Sequence, residues 1–245
     1  MSKRFGFSLF FLAVVAVVMY ASGGLVIGSG NIVEELRQIG GFDKVVFSGS
    51  DVLVVKQGAS FSLNIIADEK IIERVRTDVI NGTLHIDRRN ISFWPLFLFT
   101  DTIRYELTMP SVTGLELKGS GVLEATLAPG ERLEISLGGS GVITIDGIDH
   151  QLLAASLNGS GVIKLTGAVE QQQFSLNGSG NYFAKELRAD IVDAHLNGSG
   201  NALVWAISSL DIELNGSGNL SYYDVPEVSQ RVSGSGNINA LGPHE

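Results

Sequence analysis

Leu157-Asn158-Gly159-Ser160-Gly161-Val162-Ile163-Lys164-Leu165 is one of seven closely similar stretches in this chain. The central Gly-Ser-Gly begins at Gly119, Gly139, Gly159, Gly178, Gly198, Gly216 and Gly234, at intervals of 20, 20, 19, 20, 18 and 18 residues. A period sustained over so many units is the mark of a repeat architecture. A unit this short cannot bury an apolar face alone, so neighbouring units must stack.

The phase of the repeat identifies the element. Two residues before each corner lie Leu117, Leu137, Leu157, Leu176, Leu196, Leu214 and Val232. Four before it lie Leu115, Ile135, Ala155, Phe174, Ala194, Ile212 and, breaking the pattern, Gln230. Four after the first glycine come Leu123, Ile143, Ile163, Tyr182, Ala202, Leu220 and Ile238. These even offsets put the apolar residues on one face of a strand, with both glycines on that same inward face. A sharp bend with no interior room for a Cβ is the expected reason for glycine there.

The odd offsets hold asparagine. Asn158, Asn177, Asn197 and Asn215 stand just before the glycines, and Asn181, Asn201, Asn219 and Asn237 just after. In a parallel stack, equal positions recur about every 4.8 Å, close enough for amide ladders. The serine of each corner is a candidate for a third ladder. An antiparallel meander would not call for one residue type at each position. The expected fold is therefore all-β, a parallel β-solenoid (β-helix) of 18–20-residue coils over residues 111–241.

Ahead of the repeats, residues 41–110 read as a β-rich N-terminal portion. Val52-Leu53-Val54-Val55 and Phe61-Ser62-Leu63-Asn64-Ile65-Ile66 are strand-like, and Asn81-Gly82 is a hairpin turn signal. Asp68 is placed to cap a short helix over residues 69–75. Residues 24–40, with Gly28-Ser29-Gly30-Asn31, read as a flexible lead-in. Residues 1–23 carry Lys3-Arg4, an apolar run over 5–20, and small residues from Ala21 to Gly24. That is the pattern of a signal peptide, with an uncleaved anchor as the alternative.

Composition narrows the function classes. A net charge of −9 with no basic cluster excludes a phosphate-binding surface, so no nucleic acid is expected as a partner. With no cysteine, disulfides, thiolate metal sites and a lipoprotein anchor are excluded. The 30 glycines sit largely in the repeat and mark turns rather than disorder.

Gly40-Gly41-Phe42-Asp43-Lys44-Val45, Val52-Leu53-Val54-Val55-Lys56-Gln57-Gly58, the serial Gly-Ser-Gly-(Asn/Val) units and the spacing of Tyr222 to Pro226 together resemble the bacterial autotransporter-adhesin head family, the GIN domain. The resemblance covers residues ~28–241. It implies an exported β-helical protein of the envelope or cell surface and brings no catalytic residues. The chain differs from many relatives in lacking a lipobox cysteine and in its aromatic run at 93–99.

Four kinds of chemistry are weighed against structural readings. Calcium-binding β-rolls need an Asp after their glycines, and here the slot holds Val122, Val142, Val162 and then Asn, so no metal site is expected. Asp146 with Asp149 and His150, and Asp190 with Asp193 and His195, are the carboxylate pairs a sugar-cleaving enzyme would use. They read as solvated turns, and no catalytic residue and no cofactor are assigned. His85, His150, His195 and His244 have no metal-ligand spacing. The Asn-Gly-Ser sequons are products of the repeat. Phe93, Trp94, Phe97 and Phe99 form either a loop capping one end of the solenoid or a patch for a partner or membrane surface.

The reading that follows is an exported, non-enzymatic module of the periplasm, outer membrane or cell surface. Its partners are an envelope or extracellular protein or glycan. The alternatives are an envelope polysaccharide-acting enzyme, and a membrane-tethered sensor or assembly partner that touches the membrane through the N-terminus or residues 93–99.

Overall fold

The computed structural model describes residues 29–88 and 102–244. The N-terminal apolar run and Phe93, Trp94, Phe97 and Phe99 lie outside the described residues. No described helix is long and apolar enough to cross a membrane.

The repeats form a parallel β-solenoid. Strands β8 (Gly114–Gly119), β9 (Val122–Thr126), β10 (Gly130–Gly139), β11 (Val142–Gly159), β12 (Val162–Gly178), β13 (Asn181–Gly198), β14 (Asn201–Gly216), β15 (Asn219–Tyr223), β16 (Glu227–Gly234) and β17 (Asn237–Ala240) follow in order. Each pairs in parallel with the coil before and after it, and the first glycines of all seven corners fall in one register column.

Each coil has three sides, because the parity of its buried residues changes twice. In one coil the buried set is Tyr182 and Ala184, then Leu187 and Ala189, then Val192, Ala194 and Leu196. Only the first and last groups keep the even offsets from a corner. Six or seven inward side chains per coil fill a continuous core, seven in this one. Each large one is worth ~1.5–3 kcal/mol when fully buried.

The glycines do not both face inward. The first of each corner is at the surface in the left-handed region (φ +122 at Gly139, +134 at Gly159), and only the second is buried. The carbonyl of Gly119 accepts the N–H groups of both Ser140 (2.9 Å) and Gly141 (3.0 Å) of the next coil, and the pattern repeats upward. A Cβ on Gly139 would strike the Gly119 carbonyl. One on Gly141 would lie 2.6 Å from the Gly121 oxygen and 2.8 Å from a Leu117 methyl. The neighbouring coil's backbone thus excludes side chains at both positions, and the interior adds to this only at the second.

The asparagines are bonded from coil to coil. Asn177 donates to Asn158 at 3.0 Å, Asn197 to Asn177 at 3.0 Å and Asn215 to Asn197 at 3.1 Å. On the other side of the corner Asn201 donates to Asn181, Asn219 to Asn201 and Asn237 to Asn219, at 2.9–3.1 Å. The corner serines donate their backbone N–H groups, and their hydroxyls make no ladder among the described residues.

The N-terminal portion extends the stack out of chain order. β2 (Lys44–Gly49) and β3 (Val52–Gln57) lie parallel against β8 and β9, and on their far side against β6 (Thr83–Arg88) and β7 (Arg104–Met109). Gly49-Ser50-Asp51 is therefore an eighth corner, with Asp51 in place of the second glycine. The Asp51 carboxylate is buried and binds both the Arg88 guanidinium and the Ile103 N–H (3.1 Å), drawing together the two ends of the 89–101 segment.

Antiparallel strands then close this end. β4 (Ser62–Asp68) runs against β7, β1 (Ile32–Arg37) against β4, and β5 (Val75–Ile80) against β6 through the Asn81-Gly82 turn, where both residues have positive φ. The lead-in read as flexible thus contains a paired strand. Helix α1 (Glu69–Ile72) is capped by Asp68, which accepts the Lys70 N–H, and buries Ile71 and Ile72. Arg37 locks the cap by donating to the carbonyls of Val75 and Ile72.

Two predictions follow from the corners and the core. Gly139→Ala should cost about 3 kcal/mol or more, whereas Gly147→Ala (φ +69, with open space around it) should cost ~1 kcal/mol, both read by denaturant unfolding. Burial of His150 (5% exposed) pushes its imidazole below the ordinary value, with Asp149 partly opposing. The unfolded chain then binds more protons than the folded one. Stability should be full above the unfolded value of about 6.5 and fall as pH drops through it, a component His150→Leu should remove from the pH profile of the melting temperature.

Candidate functional site

Side chains of the returning side of each coil point alternately into the core and out to solvent. Three residues before each corner, the outward column reads Glu116, Ser136, Ser156, Ser175, His195, Glu213. Five before it reads Gly114, Glu134, Ala154, Gln173, Asp193, Asp211. Small side chains in the middle and long charged ones at both ends leave an open furrow of about 620 Å³ along the solenoid axis. It reaches from Lys44 and Thr83 on the N-terminal coils to Asp193 and His195.

The floor is polar. Ser156 donates to the Ser136 hydroxyl at 3.1 Å, and Ser175 continues the column. At one end the Lys44 ammonium meets Glu134 at 3.0 Å. The hydrogen bond from Lys44, ahead of the contribution of Arg132, holds the Glu134 carboxyl below its usual value against partial burial. At the other end His195 stands between two carboxylates, Nε2 at 3.2 Å from Asp193 and Nδ1 at 3.2 Å from Glu213. Hydrogen bonds from Asn215 and then His195 keep the Glu213 carboxyl ionised to lower pH than usual. With the carboxylates of Glu116, Glu134 and Asp193 and the His195 ring but one ammonium, Lys44, this surface offers many acceptors to hydroxyl or amine donors.

The two carboxylate pairs noted in the sequence part company. Asp146 and Asp149 are exposed on either side of the Gly147 corner, where Asp146 binds the Thr166 hydroxyl at 3.3 Å, and neither lines the furrow. Asp190 pairs with Arg188 at 2.9 Å, away from Asp193. Asp149, Asp190 and Asp193 lie within strands rather than turns. Among the described residues no group of three His, Asp or Glu side chains is arranged to hold a metal. The serine column and the Lys44–Glu134 rim were missed by attending to the corners. Reading the odd offsets −3 and −5 down all units would have found them.

The chain is similar to solved structures over nearly its whole described length. A structure described as a "putative adhesin" from Bacteroides fragilis superposes with a TM-score of 0.81 at 23% identity, over 88% of this chain and 100% of that one. One described as a "putative lipid binding protein" from Parabacteroides distasonis gives 0.72 at 26%, over 88% and 99%. A "putative adhesin" from Parabacteroides merdae gives 0.69 at 20%, over 88% and 98%. A search of curated proteins finds no match. The family model described as "putative auto-transporter adhesin, head GIN domain" matches residues 41–226. With that match spanning most of its length, and the solenoid and its glycine corners in place, the chain belongs to the auto-transporter adhesin head (GIN domain) family.

Proposed function

We propose that the protein is an exported, non-enzymatic binding module of the cell envelope or surface, which holds a hydroxyl-rich ligand, a glycan chain or a glycosylated protein, along the furrow. The observation that carries this reading is the column Ser136–Ser156–Ser175 between charged rims. It offers hydrogen-bonding groups at the coil spacing of about 4.8 Å along an open, straight track. A repetitive ligand gains affinity from many equivalent weak contacts. Family membership and the adhesin-like relatives support the surface role. The hydroxyl column along the middle of the furrow supports a hydroxylated ligand. The N-terminal basic and apolar pattern supports export.

Hydrolysis of an envelope polysaccharide is the second reading, favoured by the Asp193–His195–Glu213 cluster, of which Asp193 and His195 line the end of the furrow. The two separate on one experiment. Binding of the purified protein to immobilised envelope and host glycans is measured beside reducing-end release from the same glycans. Ala154→Arg and Ser156→Tyr, which fill the furrow from partly exposed positions, should lower binding at least about tenfold with an unchanged unfolding midpoint. Binding untouched by both variants would remove the furrow from the account. Release of reducing ends abolished by Asp193→Asn would replace binding with catalysis.

A further inference from the structure

The two ends of the solenoid are built differently. The N-terminal end is closed by reversed strands, the buried Ile71 and Ile72 of α1 and the Arg37 clamp. The C-terminal end has no such cover among the described residues. β16 pairs only with β14, and β17 only with β15, so each presents a free hydrogen-bonding edge. Inward positions that are buried in every earlier coil are open in this one: Val232 is 44% exposed, and Gln230 and Ala240 are also exposed. Residues 241–244 turn aside instead of crossing the end. Leu241 donates to the Tyr222 carbonyl at 2.8 Å, and His244 stacks on Trp205 with ring centroids 4.1 Å apart.

The edge strand is self-complementary in charge. In β16 the outward side chains are Glu227, Ser229, Arg231 and Ser233, and the inward ones Val228, Gln230 and Val232. Glu227 and Arg231 are both exposed, and among the described residues neither makes a direct ion pair, although Arg231 stands beside Glu213 of the preceding coil and helps to keep it ionised. Antiparallel pairing of two such strands about Ser229 sets Glu227 of each copy opposite Arg231 of the other. It also keeps inward residues on the inward side, with Val228 facing Gln230, because cross-strand partners share a face. A free edge with a two-fold charge pattern is what an isologous dimer requires.

We propose that a second copy of this chain docks end to end on the last coil, β16 against β16, joined by reciprocal Glu227–Arg231 pairs. The closed N-terminal ends then point outward from the dimer in opposite directions. The contact strand supplies 8 residues from each copy. That is fewer than the ~20–30 residues per side of a standard interface, so the dimer is weak and concentration-dependent. Two copies held on facing surfaces would meet tip to tip through it.

Sedimentation velocity on the purified protein over a concentration series tests this. The wild type should shift from monomer to dimer as concentration rises into the micromolar to millimolar range. Glu227→Lys and Arg231→Glu should each weaken self-association about tenfold or more, because each sets like charges opposite one another. An equimolar mixture of the two variants should recover the dimer, since one of each restores attraction at both pairs. Both side chains are exposed, so circular dichroism and melting should stay near wild type and identify any misfolded variant. The rescue in the mixture is a readout that misfolding cannot produce. A wild type monomeric throughout, variants that associate as the wild type does, or a mixture no better than its components would each overturn the proposal.

Discussion

In nearly every corner the carbonyl of the first glycine accepts two backbone N–H groups from the corner above it (Gly178 accepts only that of Ser199), and the rest of the molecule depends on that contact. It lets the chain reverse direction at the same height in every coil. It also brings successive backbones so close that no side chain can stand between them. Once the corners are stacked, the register of every strand follows, because a slip by one residue would turn the core of a coil out into solvent. The apolar column, the asparagine columns and the serine column are all consequences of that register.

The same constraint explains why the eighth corner differs. At Gly49-Ser50-Asp51 the coil above needs the Gly49 carbonyl, which is present, while the second glycine is replaced by a residue with a task of its own. Asp51 reaches Arg88 and the Ile103 N–H and so fastens a coil assembled from distant parts of the chain. A buried carboxylate is tolerable there because it is met by a guanidinium and an amide together.

The sequence made the architecture legible where a residue type was forced. Glycine at a positive-φ corner can be replaced by almost nothing else, and a run of asparagines at one register position is accounted for by amide stacking, so parallel stacking could be read from Gly159 and Asn177. The two further corners of each coil use no special residue, apart from Gly147 and Gly167, and so the three-sided cross-section was hidden behind a change of parity. The out-of-order coil of β2 and β3 was hidden as well. Long-range pairing leaves no local signature, and Asp51 masks the Gly-Ser-Gly pattern. The furrow was legible in principle, since it is a matter of which residues are small at offsets −3 and −5. The His195 bridge between Asp193 and Glu213 depends on adjacent coils and was not. Asp190 looked equivalent to Asp193 in the chain but belongs to another side.

The asparagine columns have a direction. In both, the amide nitrogen of the later residue always gives its hydrogen to the oxygen of the earlier one. Side-chain amide dipoles that share a sense along the axis add instead of cancelling, and each bond polarises the next. The rod therefore has electrical poles: amide hydrogens of Asn158 and Asn181 at one extremity of the columns, and the carbonyl oxygens of Asn215 and Asn237 at the other. Hydrogen-bond donors would be drawn to the end of the columns at the last coils and acceptors to their beginning in mid-stack, an orientation built in by repetition alone.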